Sequence, residues 1–209
     1  MKNTTYFDER AAGWDSDKSK VERSQIFAAE ILNHVKPKIS SVAMEYGCGT
    51  GLLSVQLQRH FSKIVLVDNS PGMLAVLSDK IRQEGITNFE PMLADLQPDS
   101  SPIGSFDVVY TMMTLHHVVD IPSLLKSLWR NLAPHGYLCI ADLVAEDGSF
   151  HINDPSFEGH NGFDREFITS ALLAAGYTVE KFSVFHTLTK VVKGEKLSYP
   201  LFLVMAQKT

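Results

Sequence analysis

Three glycines at a spacing of two residues, Gly47, Gly49 and Gly51, directly follow a short apolar run at residues 42–46. A glycine-rich turn between a strand and a helix lets a ligand approach the backbone, because no Cβ atom fills the space. No lysine follows the glycines as in a P-loop, and Leu52 stands where a dinucleotide fingerprint requires its third glycine. The loop therefore predicts a small-ligand site that differs from both of those phosphate-binding loops.

Two acidic residues accompany the glycine loop. Asp68 ends the second apolar run, and Asp95 follows the third. A carboxylate at the tip of a strand can accept both hydroxyls of a ribose. Asp95, on the same side, could accept a hydrogen from an adenine amino group. An NAD site would have much the same acidic residue. Asp68 by itself therefore indicates that a nucleoside binds, but it does not distinguish between cofactors.

A sheet is needed to bring these residues to one edge. Nearly continuous hydrophobic runs are typical of parallel strands that are covered on both faces. Such runs occur at 42–46, 64–68, 106–110 and 137–142. The weaker run 89–93 contains Pro91, which suits an edge strand. Runs at 178–187 and 199–207 predict an antiparallel hairpin, with the polar stretch 190–196 as its connection.

Helices are indicated between the strands. Residues 21–35 have helical apolar spacing before Pro37, and Ser70, Asp120 and Asp164 have the side chains of N-caps. We therefore predict an α/β protein with a Rossmann-like doubly wound sheet and helices on both faces. The predicted strand order is 3-2-1-4-5-7-6, with an antiparallel last strand.

Composition excludes several classes of protein. The 209 residues are 44% hydrophobic and 21% charged, which is typical of soluble globular proteins. The net charge of −5 argues against nucleic acid and anionic lipid as partners. Two cysteines cannot make a disulfide framework, and no apolar run is long enough to span a bilayer. We expect a cytoplasmic monomer or homodimer without membrane insertion.

The glycine motif and its surroundings resemble the class I S-adenosylmethionine-dependent methyltransferases. The resemblance rests on Glu45-x-Gly47-x-Gly49-x-Gly51, the two acidic residues, and the segments 106–120 and 135–143. It covers about residues 40–207 and is strongest to small-molecule enzymes related to quinone-biosynthesis methyltransferases. It implies methyl transfer to a small-molecule acceptor by in-line displacement. It also implies a methyltransferase domain at 39–209 and an extension at 1–38 that closes over the cofactor or substrate.

The resemblance also implies roles for individual residues. Glu45 and the glycine loop would hold the methionyl portion of S-adenosylmethionine, and Asp68 its ribose. Asn69 and Met73 would flank the sugar and the adenine, and Asp95 with Leu96 would face the adenine. The backbone at Met112 would accept from the amino group, and Trp14 would cover the mouth of the site. The full cofactor set is Trp14, Glu45, Gly47, Gly49, Gly51, Asp68, Asn69, Met73, Asp95, Leu96, Met112 and His117.

Four histidines, His116, His117, His151 and His160, lie in loops after the fourth and fifth strands, which border the site in this fold. An acceptor that must lose a proton needs a base, and a histidine with an ordinary pKa near 6.5 suits neutral pH. The candidates for this catalytic role are His117, His160 and Asp142, in that order. An acceptor that is already anionic would need none of them.

A metal requirement is not expected. Quinone-type O-methyltransferases can hold a divalent metal through an E-x-x-E-H pattern after the fourth strand. Residues 113–117 read Met-Thr-Leu-His-His at that place, so Mg²⁺ would lack its oxygen ligands. His116 and His117 leave a soft-metal site open.

A nicotinamide oxidoreductase is disfavoured, because Leu52 stands where its fingerprint requires glycine. Two further alternatives to a small-molecule methyltransferase remain. One is a methyltransferase that acts on RNA or protein, which the acidic charge disfavours. The other is a non-catalytic subunit that binds S-adenosylmethionine, which would not need to retain Asp68 and all three glycines.

Overall fold

A seven-stranded mixed sheet forms the centre of the protein in a computed structural model that describes residues 4–96, 101–154 and 157–209. Its strands are β1 (Val42–Tyr46), β2 (Lys63–Asp68), β3 (Phe89–Leu93), β4 (Phe106–Met112), β5 (Leu132–Leu143), β6 (Tyr177–Val192) and β7 (Glu195–Lys208). The order β3-β2-β1-β4-β5-β7-β6 confirms the prediction, and Pro91 lies in the edge strand β3. Among these strands, β7 alone runs in the opposite direction to the rest, since it pairs antiparallel with both β5 and β6.

Helices cover both faces of the sheet, as predicted. They are α1 (Thr5–Arg10), α2 (Lys18–Val35), α3 (Leu52–Leu57), α4 (Pro71–Glu84), α5 (Ile121–Asn131) and α6 (Arg165–Ala174). Apolar side chains of α2, α3 and α4 pack on one face, and those of α5 and α6 pack on the other. Within the described residues, no helix has the length and apolar character needed to cross a membrane.

The predicted N-caps are confirmed at three helices. The side chains of Ser70, Asp120 and Asp164 accept backbone N–H groups of α4, α5 and α6 at 3.1, 3.0 and 2.7 Å. Each such bond satisfies one of the free donors of a first helical turn. The first long helix begins earlier than predicted, because Asp17 accepts from the N–H of Ser19 and caps α2.

The C-terminal hairpin is longer than its sequence pattern indicated. Strands β6 and β7 extend through the polar stretch 190–196 and are joined by only Lys193 and Gly194. Both residues have positive φ angles, 50° and 87°, as in a two-residue hairpin turn. Leu188 and Val192 lie on one face of β6 and pack with Tyr199 of β7 in a small hydrophobic cluster. This cluster stabilises the pairing of the otherwise polar ends of the two strands.

Candidate active site

A cavity of about 670 Å³, open mouth included, lies at the carboxyl edge of β1, β2 and β4. The wall combines the glycine loop, the tip of β2, the end of β4 and residues of the N-terminal segment. The predicted cofactor residues that line it are Trp14, Glu45, Gly47, Gly49, Asp68, Asn69, Met73, Met112 and His117.

Five predicted site residues are not part of this wall in the described structure. Gly51 caps α3, Leu96 is buried in the core, and the carboxylate of Asp95 interacts with Tyr46. Asp142 is fully buried beneath His116. The Nε2 atom of His160 lies 3.2 Å from the carbonyl oxygen of Val119.

The glycines of the loop meet different constraints. All three have positive φ angles, which favour glycine over other residues. A Cβ atom on Gly47 would lie 2.2 Å from Cγ2 of Thr114, and one on Gly51 would lie 2.7 Å from Cδ1 of Leu77. A Cβ on Gly49 would meet only Met73, at 3.9 Å. Gly47 is therefore required for packing against Thr114, Gly51 is favoured mainly by its positive φ angle, and Gly49 leaves space beside the cavity.

Asp68 joins the glycine loop to the tip of β2. Its carboxylate accepts the N–H of Gly49 at 2.7 Å and the N–H of Ser70 at 2.8 Å. Burial raises the pKa of Asp68, while these backbone donors oppose the rise. Each carboxylate oxygen retains a lone pair, so Asp68 can still accept hydroxyl groups of a ligand.

Glu45 is a buried carboxyl group on the cavity wall. The Ser54 hydroxyl donates to its Oε2 atom and lies 2.7 Å from the Tyr110 hydroxyl. Burial raises the pKa of Glu45 to about 8, so the free protein holds it mainly protonated at neutral pH. A cationic ligand group beside it would favour the ionised form.

The end of β4 carries backbone strain beside the cavity. Met113, which lines the wall, has a φ of 55° although it is not glycine. Such conformations are concentrated at functional sites. The carbonyl of Met112, the predicted acceptor for a cofactor amino group, also accepts from the Thr114 hydroxyl at 3.1 Å.

The N-terminal segment is fastened across the cavity by two aspartates. Asp8 accepts from the Ser70 hydroxyl at 2.6 Å and from the N–H of Gly72 at 2.8 Å. Asp15 accepts from the Thr50 hydroxyl at 2.5 Å and pairs with Lys80 at 2.7 Å. These contacts place the rings of Phe7 and Trp14 in the cavity wall. Sequence reasoning singled out only Trp14 of this group.

Arg23 is a site residue that sequence reasoning missed. It is buried, lines the cavity, and its Nε atom has no hydrogen-bond partner among the described residues. The signal was its spacing: Arg23, Phe27 and Ile31 follow each other at intervals of four on one face of α2. A cation on an otherwise apolar face can pair with an anionic group of a ligand in the cavity.

A histidine cluster lies beside the end of β4. Nδ1 of His116 is 2.5 Å from Oδ1 of Asp142, and the ring of His117 lies 4.2 Å from that of His116. Burial and the neighbouring imidazoles lower the pKa of His117 to about 2. The expectation of an ordinary pKa for this residue is therefore wrong, because the ring is desolvated among other imidazoles. The N–H of His160 donates to the carbonyl of His116 at 2.7 Å and supports this turn.

Comparison with known proteins agrees with the fold. Residues 43–136 match the family described as a methyltransferase domain. An uncharacterized methyltransferase of Schizosaccharomyces pombe is 31% identical over 129 residues, which is 58% of this chain and 45% of the relative. A ubiquinone biosynthesis O-methyltransferase of Methylococcus capsulatus is 31% identical over 102 residues, 48% of this chain and 43% of the relative.

The chain thus spans less than half the length of these two relatives. The solved structure of a SAM-dependent methyltransferase from Aquifex aeolicus has a TM-score of 0.66 at 20% identity, and the match covers 92% of this chain and 99% of that one. At that identity the likeness concerns the fold. Together with the glycine loop, the acidic strand tip and the sheet order, the matches support a class I S-adenosylmethionine-dependent methyltransferase.

Proposed function

We propose that the chain transfers a methyl group from S-adenosylmethionine to a small-molecule acceptor by in-line displacement, leaving S-adenosylhomocysteine. The observation that carries the proposal is the single cavity that combines the glycine loop, Asp68, Glu45 and His117 at one sheet edge. The bound cofactor supplies an electrophilic methyl group on a sulfonium. The chain has to hold both reactants in line and exclude water.

The charged groups of the cavity fit a zwitterionic ligand. Asp68 is proposed to accept the ribose hydroxyls, and Glu45 to face the ammonium group of the methionyl portion. Arg23 brings a buried cation whose Nε atom has no hydrogen-bond partner among the described residues, which suits the methionyl carboxylate. Asp95 and Leu96 are proposed for the adenine end, since the N–H of Ala94 bonds the Asp68 carbonyl at 3.0 Å and holds their segment near β2.

Further positions complete the proposed cofactor site. Asn69 and Met73 flank the sugar and adenine, Gly51 shapes the loop, and the Met112 backbone accepts from the amino group. Trp14 covers the mouth. We propose residues 1–38 as a closing extension and 39–209 as the methyltransferase domain. The fastening of Asp8 and Asp15 to the other side of the cavity supports this division.

The catalytic assignments concern the acceptor side. His117 is proposed to contact the acceptor, since its ring lines the cavity, and its low pKa keeps it neutral and able to accept a hydrogen bond. Asp142 acts through His116 and is a positioning residue, as its carboxylate touches the His116 ring. His160 has a similar role, because its N–H supports the His116 carbonyl.

A small acceptor fits the covered cavity better than a macromolecule. Phe7 and Trp14 occupy the wall beside the mouth, and the net charge of −5 repels polyanions. The proposal includes a cytoplasmic location, a monomeric or homodimeric state and no nucleic-acid partner.

The test follows radioactive methyl groups from S-adenosylmethionine into a panel of phenols, carboxylic acids, amines and thiols, with transfer RNA and denatured protein alongside. We expect label only in low-molecular-mass products, and its loss in Asp68→Ala but not in Asp79→Ala, an exposed control. Label in RNA or protein would favour the macromolecular alternative. Tight cofactor binding with no transfer to any acceptor would favour the non-catalytic subunit.

A further inference from the structure

Three imidazoles converge next to the cavity from two separate turns. His116 and His117 belong to the 3-10 turn Leu115–His117 after β4, and His151 ends the 3-10 turn Ser149–His151 after β5. One ring nitrogen from each lies within 4.8 Å of the others. Ring centroids of His151 lie 5.1 Å from His116 and 5.3 Å from His117. We propose that His116, His117 and His151 bind a borderline-soft divalent transition metal ion, represented by Zn²⁺.

The orientation of His116 matches that of a metal ligand. Oδ1 of the fully buried Asp142 accepts from Nδ1 of His116 at 2.5 Å and from the N–H of Leu143 at 2.7 Å. A carboxylate is an acceptor only, so Nδ1 carries the hydrogen and Nε2 keeps its lone pair. This carboxylate–histidine arrangement is the one that orients metal-binding imidazoles in proteins.

His151 supplies a second, independent observation. Its Nε2 atom is buried and has no hydrogen-bond partner among the described residues. A buried polar atom without a partner is costly and requires an explanation such as a bound ion. The ring itself is held in place, because it stacks on Phe157 with centroids 3.7 Å apart and planes 7° from parallel.

The ligand set determines the kind of metal. Three imidazole nitrogens and no carboxylate suit Zn²⁺ and neighbouring first-row ions, whereas Mg²⁺ and Ca²⁺ require oxygen ligands. A tetrahedral ion with bonds of about 2.1 Å places its ligand nitrogens roughly 3.4 Å apart, so nitrogens that lie within 4.8 Å of one another must approach by at most about 1.4 Å. Three protein ligands leave the fourth coordination position of the ion open, as in catalytic zinc sites.

This inference changes the expectation of a metal-free protein. His116 and His117 alone offered only an adjacent pair, and the third ligand comes from a turn 34 residues further along the chain. Since His117 also lines the cavity, the ion would lie at the edge of the proposed acceptor space. With the ion bound, the lone pair of His117 goes to the metal, and its remaining N–H would donate to the acceptor. Metal binding is measured without any methyl donor, so its failure and the failure of methyl transfer are distinguishable.

The experiment titrates Zn²⁺ into the full chain, free of any polyhistidine tag and previously dialysed against EDTA, with heat as the readout. We expect one equivalent to bind, no heat from Mg²⁺ at the same concentration, and visible absorption bands of tetrahedral Co²⁺ in a parallel titration. His151→Ala and His117→Ala should each weaken Zn²⁺ binding by at least about tenfold, and Asp142→Asn by about 10–100-fold. The exposed His60 provides the control, since His60→Ala should bind as the unmodified chain does.

Melting curves in EDTA establish that each variant is folded before titration. His151 is only half-buried, so His151→Ala is the decisive variant if Asp142→Asn fails to fold. Two results would overturn the inference: no stoichiometric Zn²⁺ binding by the unmodified chain, or an unchanged dissociation constant in folded His151→Ala.

Discussion

Glu45 provides a prediction that links cofactor binding to a proton. Its pKa of about 8 in the free protein arises mainly from burial, so the carboxyl group is about nine-tenths protonated at pH 7. The proposed ammonium partner requires the ionised form. Binding of S-adenosylmethionine at pH 7 should therefore release about 0.9 proton from this group.

The same linkage fixes the pH dependence of affinity. The ionised fraction of Glu45 rises from about 0.01 at pH 6 to about 0.09 at pH 7, so the cofactor should bind about ninefold more tightly at pH 7. This window lies below the ordinary pKa of an α-amino group, so the ammonium of the cofactor stays charged throughout.

Calorimetry in two buffers of different ionisation enthalpy counts the released protons, and titrations at pH 6 and pH 7 give the affinity ratio. Glu45→Gln keeps an acceptor for the Ser54 hydroxyl but cannot ionise, so it should show neither effect. Glu90→Gln, an exposed residue of β3, serves as the control that retains both. Proton release that persists in Glu45→Gln, or an affinity that does not change between pH 6 and pH 7, would refute the reasoning.

The remaining predictions concern three other residues of the cavity. Asp68→Ala should weaken cofactor binding by about 1.5–3 kcal/mol per lost hydrogen bond, measured by calorimetry, and an unchanged dissociation constant would remove Asp68 from the site. Gly47→Ala should lower the free energy of unfolding by about 1–3 kcal/mol, because its Cβ would collide with Thr114, and an unchanged Tm would contradict this. Asp15→Asn should speed release of S-adenosylhomocysteine by about two- to fivefold in stopped-flow, because the partly buried pair with Lys80 loses its charge attraction while the acceptor for the Thr50 hydroxyl is kept. Equal release rates would argue against a closing extension.

Local sequence patterns were sufficient for most of the fold. The strands followed from apolar runs, the edge position of β3 followed from Pro91, and the caps Ser70, Asp120 and Asp164 followed from side-chain type. These features depend on residues close together in the chain. The boundary at Leu132 is less clear from sequence, since this residue continues the apolar spacing of Leu124, Leu125 and Leu128 and yet begins β5. An apolar residue between a helix and a strand fits either element.

Long-range contacts set the part of the site that sequence patterns could not supply. Asp8 bonds Ser70 across 62 positions, and Asp142 bonds His116 across 26. No local spacing encodes such pairs, because they arise only once the strands are aligned in the sheet. The low pKa of His117 has the same origin, since it depends on burial and on His116 and His151.

The central claim is that the cavity beside the glycine loop and Asp68 binds S-adenosylmethionine. The most direct measurement is a calorimetric titration of the full chain with S-adenosylhomocysteine and, separately, with NADH. The account predicts micromolar binding of S-adenosylhomocysteine and no binding of NADH. Tight binding of NADH with none of S-adenosylhomocysteine would contradict it.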